Sequence, residues 1–592
     1  METIGGMLKS RVEKYGDRVM MKRKQEGEWK EISWNEFYEK VRNLGLALIS
    51  MGIRAGDRIA IFSANSPEWQ MIDMASLSTG AADVPLYPTI TAPQAEYILK
   101  DSGSRVAFVG SRDHMNRVLQ GKGNLPDLMK VVTIDNAISD NPDVITFDEM
   151  LKLGEGCADK GEFDRRLSAV LPDDLCSIVY TSGTTGPPKG VMLTHNNFLS
   201  NVSTATGLIE SYDADVVLSF LPLSHVLERM SGYYSSVYNG ATIAHVQSID
   251  TLLEDIGDIK PHWMVSVPRL YEKVHAGVLA SVEGEPPIKQ KIFHWAVGVG
   301  GEVSKLITGH KPIPAGLNFK YKIANKLVFS KIYERMGGRL RFFFSGGAPL
   351  AKEIAEFFHA MGITILEGYG LTETSPVLTL NRPEALRFGS VGQPIPGVEI
   401  KIAEDGEILA RGPNVMQGYF NKPEATAEVL VDGWFHTGDI GYLDEDNYLH
   451  ITDRKKDLIV TAGGKNIAPQ NIENQLKLDK YIEQVYVVGD RRKYLSALIV
   501  PDFAALEAWA KKEGIEFANR MELVGDERVN KLFRKRIDEG LKEFDRHEWI
   551  TKFTLLPQEM TEADGFLTPT LKVKRKEVSE AFADEIEKMY SE

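Results

Sequence analysis

The stretch Tyr180–His195, YTSGTTGPPKGVMLTH, is nearly free of large side chains before it enters an apolar run. It follows the strand-like CSIVY and gathers Thr181, Ser182, Thr184 and Thr185 with Gly183, Gly186, Lys189 and Gly190. Glycines let a backbone approach a polyanion closely, while hydroxyl and amide donors satisfy phosphate oxygens. A nucleotide-binding loop is therefore expected here. It departs from the common phosphate loop GxxxxGK[ST], because Lys189 follows Pro187 and Pro188 and no Ser or Thr comes after it. A plain glycine-rich surface loop is the alternative, and it leaves the cluster of hydroxyls unexplained.

Outward from this loop, residues 55 to 370 alternate short apolar runs with helical patterns. Strand candidates are RIAIFSA (58–64), RVAFVG (105–110), KVVTID (130–135), SIVYTSG (177–183), VVLSFLPL (216–223), ATIAHV (241–246), WMVSVP (263–268) and LRFFFSGG (340–347). Strands separated by helices predict α/β layers with largely parallel pairing, whose ligands gather at the carboxyl ends of strands. After residue 390 the texture changes. EIKIAEDGEILARG (399–412) signals a hairpin around Asp405-Gly406. Beyond TDRKKDLIVTAGGKNIAP (452–469) come a helix at 469–478, the strands EQVYVVGD and SALIVPD, and charged helices. DRKKD (453–457) is a poor core segment and a candidate hinge.

The expected fold class is α/β. A large multi-subdomain N-terminal domain (1–453) combines layered α/β sheets with a β-rich part, and a small α+β C-terminal domain (454–592) follows. Residues 275–338 are helical in pattern and dotted with aromatics, from Phe293 and Trp295 to Tyr333.

A chain of 592 residues, 43% hydrophobic and 26% charged, can bury several cores. Its net charge of −14 argues against a general nucleic-acid binder, which needs a surplus of Lys and Arg. Cys157 and Cys176 are too few for a disulfide framework or a four-cysteine zinc site, and both read as small hydrophobes near strands. The N-terminus reads as an amphipathic helix without a signal peptide, and no apolar run approaches ~18 residues. Cytoplasmic residence is the expectation.

Four more segments carry chemistry. FFFSGGAPL (342–350) runs a strand into Gly346 and Gly347, which would let a flat ring pack against backbone. ILEGYGLTETSP (365–376) brings Tyr369, Thr372 and Glu373 into one expected turn, offering a stacking face and a hard oxygen ligand for Mg²⁺. WFHTGDIGYLD (434–444) sets Asp439 after a glycine, suited to the two hydroxyls of a ribose. DGFLTPTLKVKRKEV (564–578) holds Lys572 in a stretch that Pro569 and two threonines keep non-helical. Singly, Asp439 is an ordinary turn former, Glu373 a helix cap and the lysines a charged helix face.

Together, in this order, the segments resemble the adenylate-forming enzymes: acyl-CoA synthetases, peptide-synthetase adenylation domains and firefly-type luciferases. The similarity runs from about residue 10 to 580. Within that family the chain is most similar to long-chain fatty-acid–CoA ligases, on YTSGTTGPPKGVMLTH, LPLSHVLER (221–229), VPRLYEKV (267–274), EGYGLTET (367–374), LTPTLKVKR (567–575) and the long 275–338 insertion.

The resemblance implies ATP, Mg²⁺ and CoA as cofactor and co-substrates. Thr181 to Lys189, with Ser182, Gly183, Thr184, Thr185 and Gly186, would enclose the β- and γ-phosphates, and Thr184 and Glu373 would hold Mg²⁺. Gly346, Gly347, Ala348 and Pro349 would flank adenine with Tyr369, alongside Glu367, Gly368, Gly370 and Thr372. Asp439 would bind ribose with Arg454 nearby. His225 would line the carboxylate site, unless it is a satisfied core histidine. Lys572 would reach the carboxylate and α-phosphate oxygens. Lys456 would be the hinge about which the C-terminal domain swings, and Gly463 would then admit the pantetheine arm of CoA. The acyl-tunnel wall is sought in Tyr233–Gly240 and in the insertion. The resemblance also leaves room for a homodimer and for peripheral contact with a membrane. Alternatives are transfer to acyl carrier protein, activation of an aromatic or bicyclic acid, and a non-catalytic acyl-nucleotide sensor.

Overall fold

A computed structural model describes residues 2–591 apart from 182–186, 249–250, 562–563 and 569–572, and apart from the side chain of Asn466. Ser182, Gly183, Thr184, Thr185, Gly186 and Lys572 therefore lie outside the described residues.

The apolar runs form strands because parallel strands covered on both faces need continuous hydrophobic sequence. RIAIF, VAFV and KVVT become Arg58–Phe62, Val106–Val109 and Lys130–Thr133, adjacent and parallel in an eight-stranded sheet. At the other side of that sheet, Ala82–Leu86 pairs with Leu175–Thr181. The chain then turns back antiparallel through Lys189–Thr194 to Gly418–Tyr419. A nine-stranded sheet carries Val216–Ser219, Thr242–His245, Trp263–Ser266, Phe342–Ser345 and Thr364–Gly370 as parallel neighbours. The expected hairpin is present: Glu399–Ile402 pairs antiparallel with Glu407–Arg411 within a five-stranded sheet. In the C-terminal part, Ile482–Val488, Leu495–Pro501 and Ile550–Leu555 make a three-stranded sheet.

Several expectations need correction. Ala82–Leu86 (ADVPL) escapes a propensity reading because Pro85 argues against a central strand, yet burial on both faces overrides it. Residues 365–376 are not one turn. Tyr369 lies on the strand Thr364–Gly370, and Glu373 lies on the separate 3₁₀ turn Thr372–Thr374. Cys157 is not beside a strand; it follows the helix Phe147–Glu155, and its thiol donates to the Leu46 carbonyl at 3.5 Å. DRKKD is not wholly a poor core segment, since Asp453 is buried and Arg454 ends the strand Leu449–Arg454.

The motif LPLSHVLER builds the centre of the large domain. Arg229 sits on the π-helical turn Glu228–Tyr234 with no exposure. Its Nη1 donates to Asp83 Oδ1 at 2.9 Å and to Ser177 Oγ at 2.8 Å, and its Nη2 donates to Asp73 Oδ1 at 2.5 Å and to Asp83 Oδ2. Nε reaches the Tyr234 hydroxyl at 2.9 Å. The guanidinium thus ties the helix Pro67–Ser78 to Ala82–Leu86 and Leu175–Thr181. Burial pushes Asp73 well above the usual carboxylate range against the opposing pull of Arg229.

Candidate active site

A single cleft of about 1590 Å³ opens where the large domain meets the C-terminal part, and strand ends from both large sheets reach it. Asp439, on the strand Trp434–Leu443, stands opposite Arg454 in the antiparallel register. Its Oδ2 accepts from the Tyr369 hydroxyl at 2.7 Å, and Arg454 Nε lies 3.3 Å from Oδ1. Burial, and then the Asp439 charge, holds the Tyr369 phenol well above its usual range, so it stays a donor. A buried carboxylate held this way presents a fixed acceptor edge to a pair of hydroxyls.

Gly346, Gly347, Ala348 and Pro349 line the same cleft directly after Phe342–Ser345. Gly347 adopts φ +82°, a conformation costly for residues with a side chain. A Cβ on Gly346 would press on Leu227 at 3.3 Å. Gly368 and Gly370 also line the cleft, and a Cβ on Gly370 would collide with the Pro376 carbonyl. The glycines therefore keep an open, flat-walled floor. Thr372 and Glu367 line it as well.

Thr181 and Lys189 flank residues 182–186 in sequence, and both line the cleft. Thr181 Oγ1 donates to the Lys189 carbonyl at 3.5 Å. Lys189 Nζ lies 4.8 Å from the centre of the Tyr419 ring, and the Tyr419 hydroxyl donates to Glu373 Oε1 at 2.8 Å. One tyrosine thus carries the ammonium over its ring and the carboxylate at its hydroxyl. Glu373 offers the hard oxygen chemistry that Mg²⁺ prefers. Tyr419 escapes sequence reasoning: it lies far from both residues in the chain, and only pairing of Gly418–Tyr419 with Lys189–Thr194 delivers it.

His225 lines the cleft, its Nδ1 accepting from the Leu227 amide at 3.1 Å and its ring centre 6.4 Å from that of Tyr87. The cleft also extends past Trp263 and Phe342 to Ile209 and Ser211. Ser231, Ser235 and Asn239 line this extension at four-residue spacing, as one helical face requires. Tyr233 and Tyr234 of the sequence-derived wall instead turn into the core. Among the described residues, none from 275 to 338 lines the cleft, so the insertion is not its wall.

From the C-terminal side, Lys456, Asn471, Gln484, Leu567 and Thr568 reach the cleft. Lys455 is fastened to the large domain: its amide donates to the Gly438 carbonyl at 2.9 Å, and its ammonium meets Asp405 at 2.7 Å and Glu407 at 3.0 Å. The second hydrophobic core starts at Ile459. Lys456 therefore occupies the exposed turn between the two attachments. Gly463 lies in the turn between Ile459–Val460 and Asn466–Ile467, outside the lining of the cleft. Across the junction, Arg269 pairs with Glu483, Lys477 with Glu272 at 3.7 Å, and Lys480 with Glu283 at 2.8 Å.

Two family models cover this architecture: the AMP-binding enzyme over residues 8–420 and the AMP-binding enzyme C-terminal domain over 456–592. The chain belongs to the AMP-binding enzyme family. Within the family, it is 38% identical over 584 residues to the long-chain-fatty-acid--CoA ligase FadD15 of Mycobacterium tuberculosis, covering 97% of this chain and 95% of that protein. It is 31% identical to the peroxisomal long chain acyl-CoA synthetase 7 of Arabidopsis thaliana, over 96% of this chain and 82% of the relative. The anthranilate CoA ligase AuaEII, solved with anthranoyl-AMP, shares the fold at a TM-score of 0.75 and 18% identity, covering 99% and 98% of the two chains.

One member of the family cleft behaves unlike an ordinary carboxylate. Burial pushes Glu367 up to about 8, with the Leu350 amide opposing. A carboxyl raised on folding costs nothing while both states are protonated, below its ordinary value of 4.5. It costs progressively more as pH climbs from there through about 8. Glu367→Gln is therefore expected to match the parent in thermal unfolding near pH 4.5 and to exceed it by about 4 kcal/mol at pH 8. Parallel Tm–pH curves for the two proteins would show that Glu367 ionises normally.

Proposed function

We propose that this protein is an ATP-dependent long-chain fatty acid–CoA ligase. A fatty carboxylate attacks the α-phosphate of ATP to give acyl-adenylate and pyrophosphate; the CoA thiol then attacks the acyl carbon and releases AMP. The observation that carries this reading is the continuity of one cleft from the Asp439–Arg454–Tyr369 cluster to an extension flanked by Trp263, Phe342 and Ile209. A nucleotide at the first end and an alkyl chain in the second would meet at His225 and Gly346. The names of FadD15 and of the plant synthetase agree with that substrate class.

In this reading Asp439 and Arg454 hold ribose, and Gly346–Pro349 with Tyr369 flank adenine. Thr181, Lys189 and residues 182–186 surround the outer phosphates. Bringing carboxylate to triphosphate joins two anions, so alignment and charge neutralisation dominate the barrier. Mg²⁺, when held by Glu373 and Thr184, supplies part of that neutralisation. Lys189, held over Tyr419, supplies a fixed positive charge at the phosphate end. Lys572 attends the transferring oxygens, and a compact ammonium with three donors suits a charge that moves between them. The domains divide as 1–453 and 454–592, with Arg454 and Lys455 still fastened to the larger part ahead of the hinge. Rotation at Lys456 would withdraw Lys572 and bring Gly463 to the thiol path. Cytoplasmic residence, peripheral membrane contact and a homodimer belong to the same reading.

The test is pyrophosphate release across acetate, octanoate, palmitate, oleate and an aromatic acid, with CoA present, absent, or replaced by acyl carrier protein. Palmitate and oleate with CoA are expected to dominate. Preference for the aromatic acid or for the carrier protein would overturn the assignment.

The extension also predicts a length determinant. Each buried methylene contributes about 0.8 kcal/mol, so loss of depth removes longer substrates first. Ser235→Phe is expected to lower kcat/KM for palmitate by at least about tenfold while leaving octanoate within about twofold. Uniform loss across chain lengths would show that Ser235 does not border the alkyl chain.

A further inference from the structure

Residues 287–333, the greater part of the 275–338 insertion, contribute nothing to the cleft among the described residues, yet their outer surface is unusual. They carry eight lysines, and Glu302 is their one acidic residue, with Glu283, Glu285 and Glu334 just outside, a balance of +7 in a chain of net −14, so that the remainder carries −21. Among the described residues, only Lys289 of these lysines makes an ion pair, with Glu285 at 2.8 Å. The other seven place charge in solvent without a partner.

Apolar groups share that surface. In the helix Pro287–Thr308, Phe293, Ala296, Val299 and Val303 face inward, and Gly300 lies against the Ala360 carbonyl. The opposite face shows Ile288 (73% exposed) and Trp295 (40%) with Lys291. In the adjoining helix Ala315–Ala324 and the turn Asn325–Phe329, Ala324 and Phe329 are buried, while Phe319 (66% exposed), Ile323 and Leu327 are exposed, as are Lys322 and Lys326 beside them. Alternation of large apolar and lysine side chains on one helix face suits the boundary between lipid headgroups and acyl chains. There the rings and branched chains enter, and lysine stems keep their ammonium groups among phosphates.

We infer that residues 287–333 form a docking surface for an anionic lipid bilayer. Charge complementarity fixes the occupant and the orientation: this face is attracted, whereas the acidic remainder is repelled within a screening length. Exposed tryptophan, phenylalanine and isoleucine favour lipid over a purely polyanionic partner such as nucleic acid, which would use the lysines alone. The helix Pro268–Glu283 leads directly into this segment, and its Arg269, Glu272 and Lys273 line the cleft. Docking would therefore set the cleft beside the phase in which long-chain acids dissolve. The lysine-rich face rests on charge and exposure and is independent of the ligase reading, which gives it only its use.

The experiment is co-sedimentation of the full chain with phosphatidylcholine vesicles, with and without phosphatidylglycerol, at low and high salt. Binding is expected only with the anionic lipid, and it should weaken with salt. Each lysine near such a surface is worth about fivefold in partitioning, so Lys322→Glu/Lys326→Glu should reduce binding at least about thirtyfold. Phe319→Ser/Ile323→Ser/Leu327→Ser should also reduce it, by about tenfold or more. Both variants should keep the parent Tm and its turnover of octanoate in solution. Equal binding to neutral vesicles, parent-like binding by the charge variant, or full binding by the apolar variant would each overturn the proposal, the last by revealing a general polyanion site. Vesicle binding with no ligase activity would sink the functional assignment and leave the surface intact.

Discussion

Lys572→Ala is expected to lower acyl-adenylate formation by about 10²–10³-fold, while CoA acylation from supplied acyl-AMP stays within a few-fold of the parent. The split follows from the two half-reactions. The first gathers negative charge from a carboxylate and a triphosphate; the second starts from an adenylate whose phosphate charge is already reduced. Lys572 itself lies outside the described residues, but Leu567 and Thr568 before it and Val573 and Lys574 after it all line the cleft. Leu567 and Val573 pair as an antiparallel bridge. Measuring pyrophosphate release and thioester formation separately decides the matter. Equal loss in both half-reactions would make the lysine structural, and no loss in either would remove the central cation from the proposed chemistry.

Arg229→Leu is expected to destabilise the large domain by about 3–5 kcal/mol, enough to deplete soluble protein. The cost comes less from lost hydrogen bonds than from Asp73 and Asp83, which would remain with no exposure and no counter-charge. Replacing both acids together, as Arg229→Leu/Asp73→Asn/Asp83→Asn, should recover much of the loss, because the uncompensated charge disappears with them. A single variant as stable as the parent in thermal unfolding would mean that the cluster adds nothing net. Arg229 is thus a girder within a motif whose neighbours Leu227 and Ser231 line the cleft.

Much of the architecture was legible because its causes are local. Runs such as RIAIF, WMVS and FFFS can only be strands buried on both faces, and Asp405-Gly406 between alternating residues can only turn. That Asp439 reaches the cleft was legible too, because an acid set after a glycine leaves a compositional trace. Ala82–Leu86 was not, since its strand state depends on neighbours on both sides and defies its own proline.

By itself the sequence determined most of the buried strands of the large sheets, the residue types offered to a nucleotide, and the surplus of lysine in residues 287–333. Tertiary structure alone decided that Tyr419 joins Lys189 to Glu373, that Arg229 is locked between two acids, and that the insertion faces outward rather than lining the cleft. The physical reason is common to all three. Each depends on which distant strands and helices pack together, and side chains separated by tens to hundreds of residues meet only once the sheets have closed.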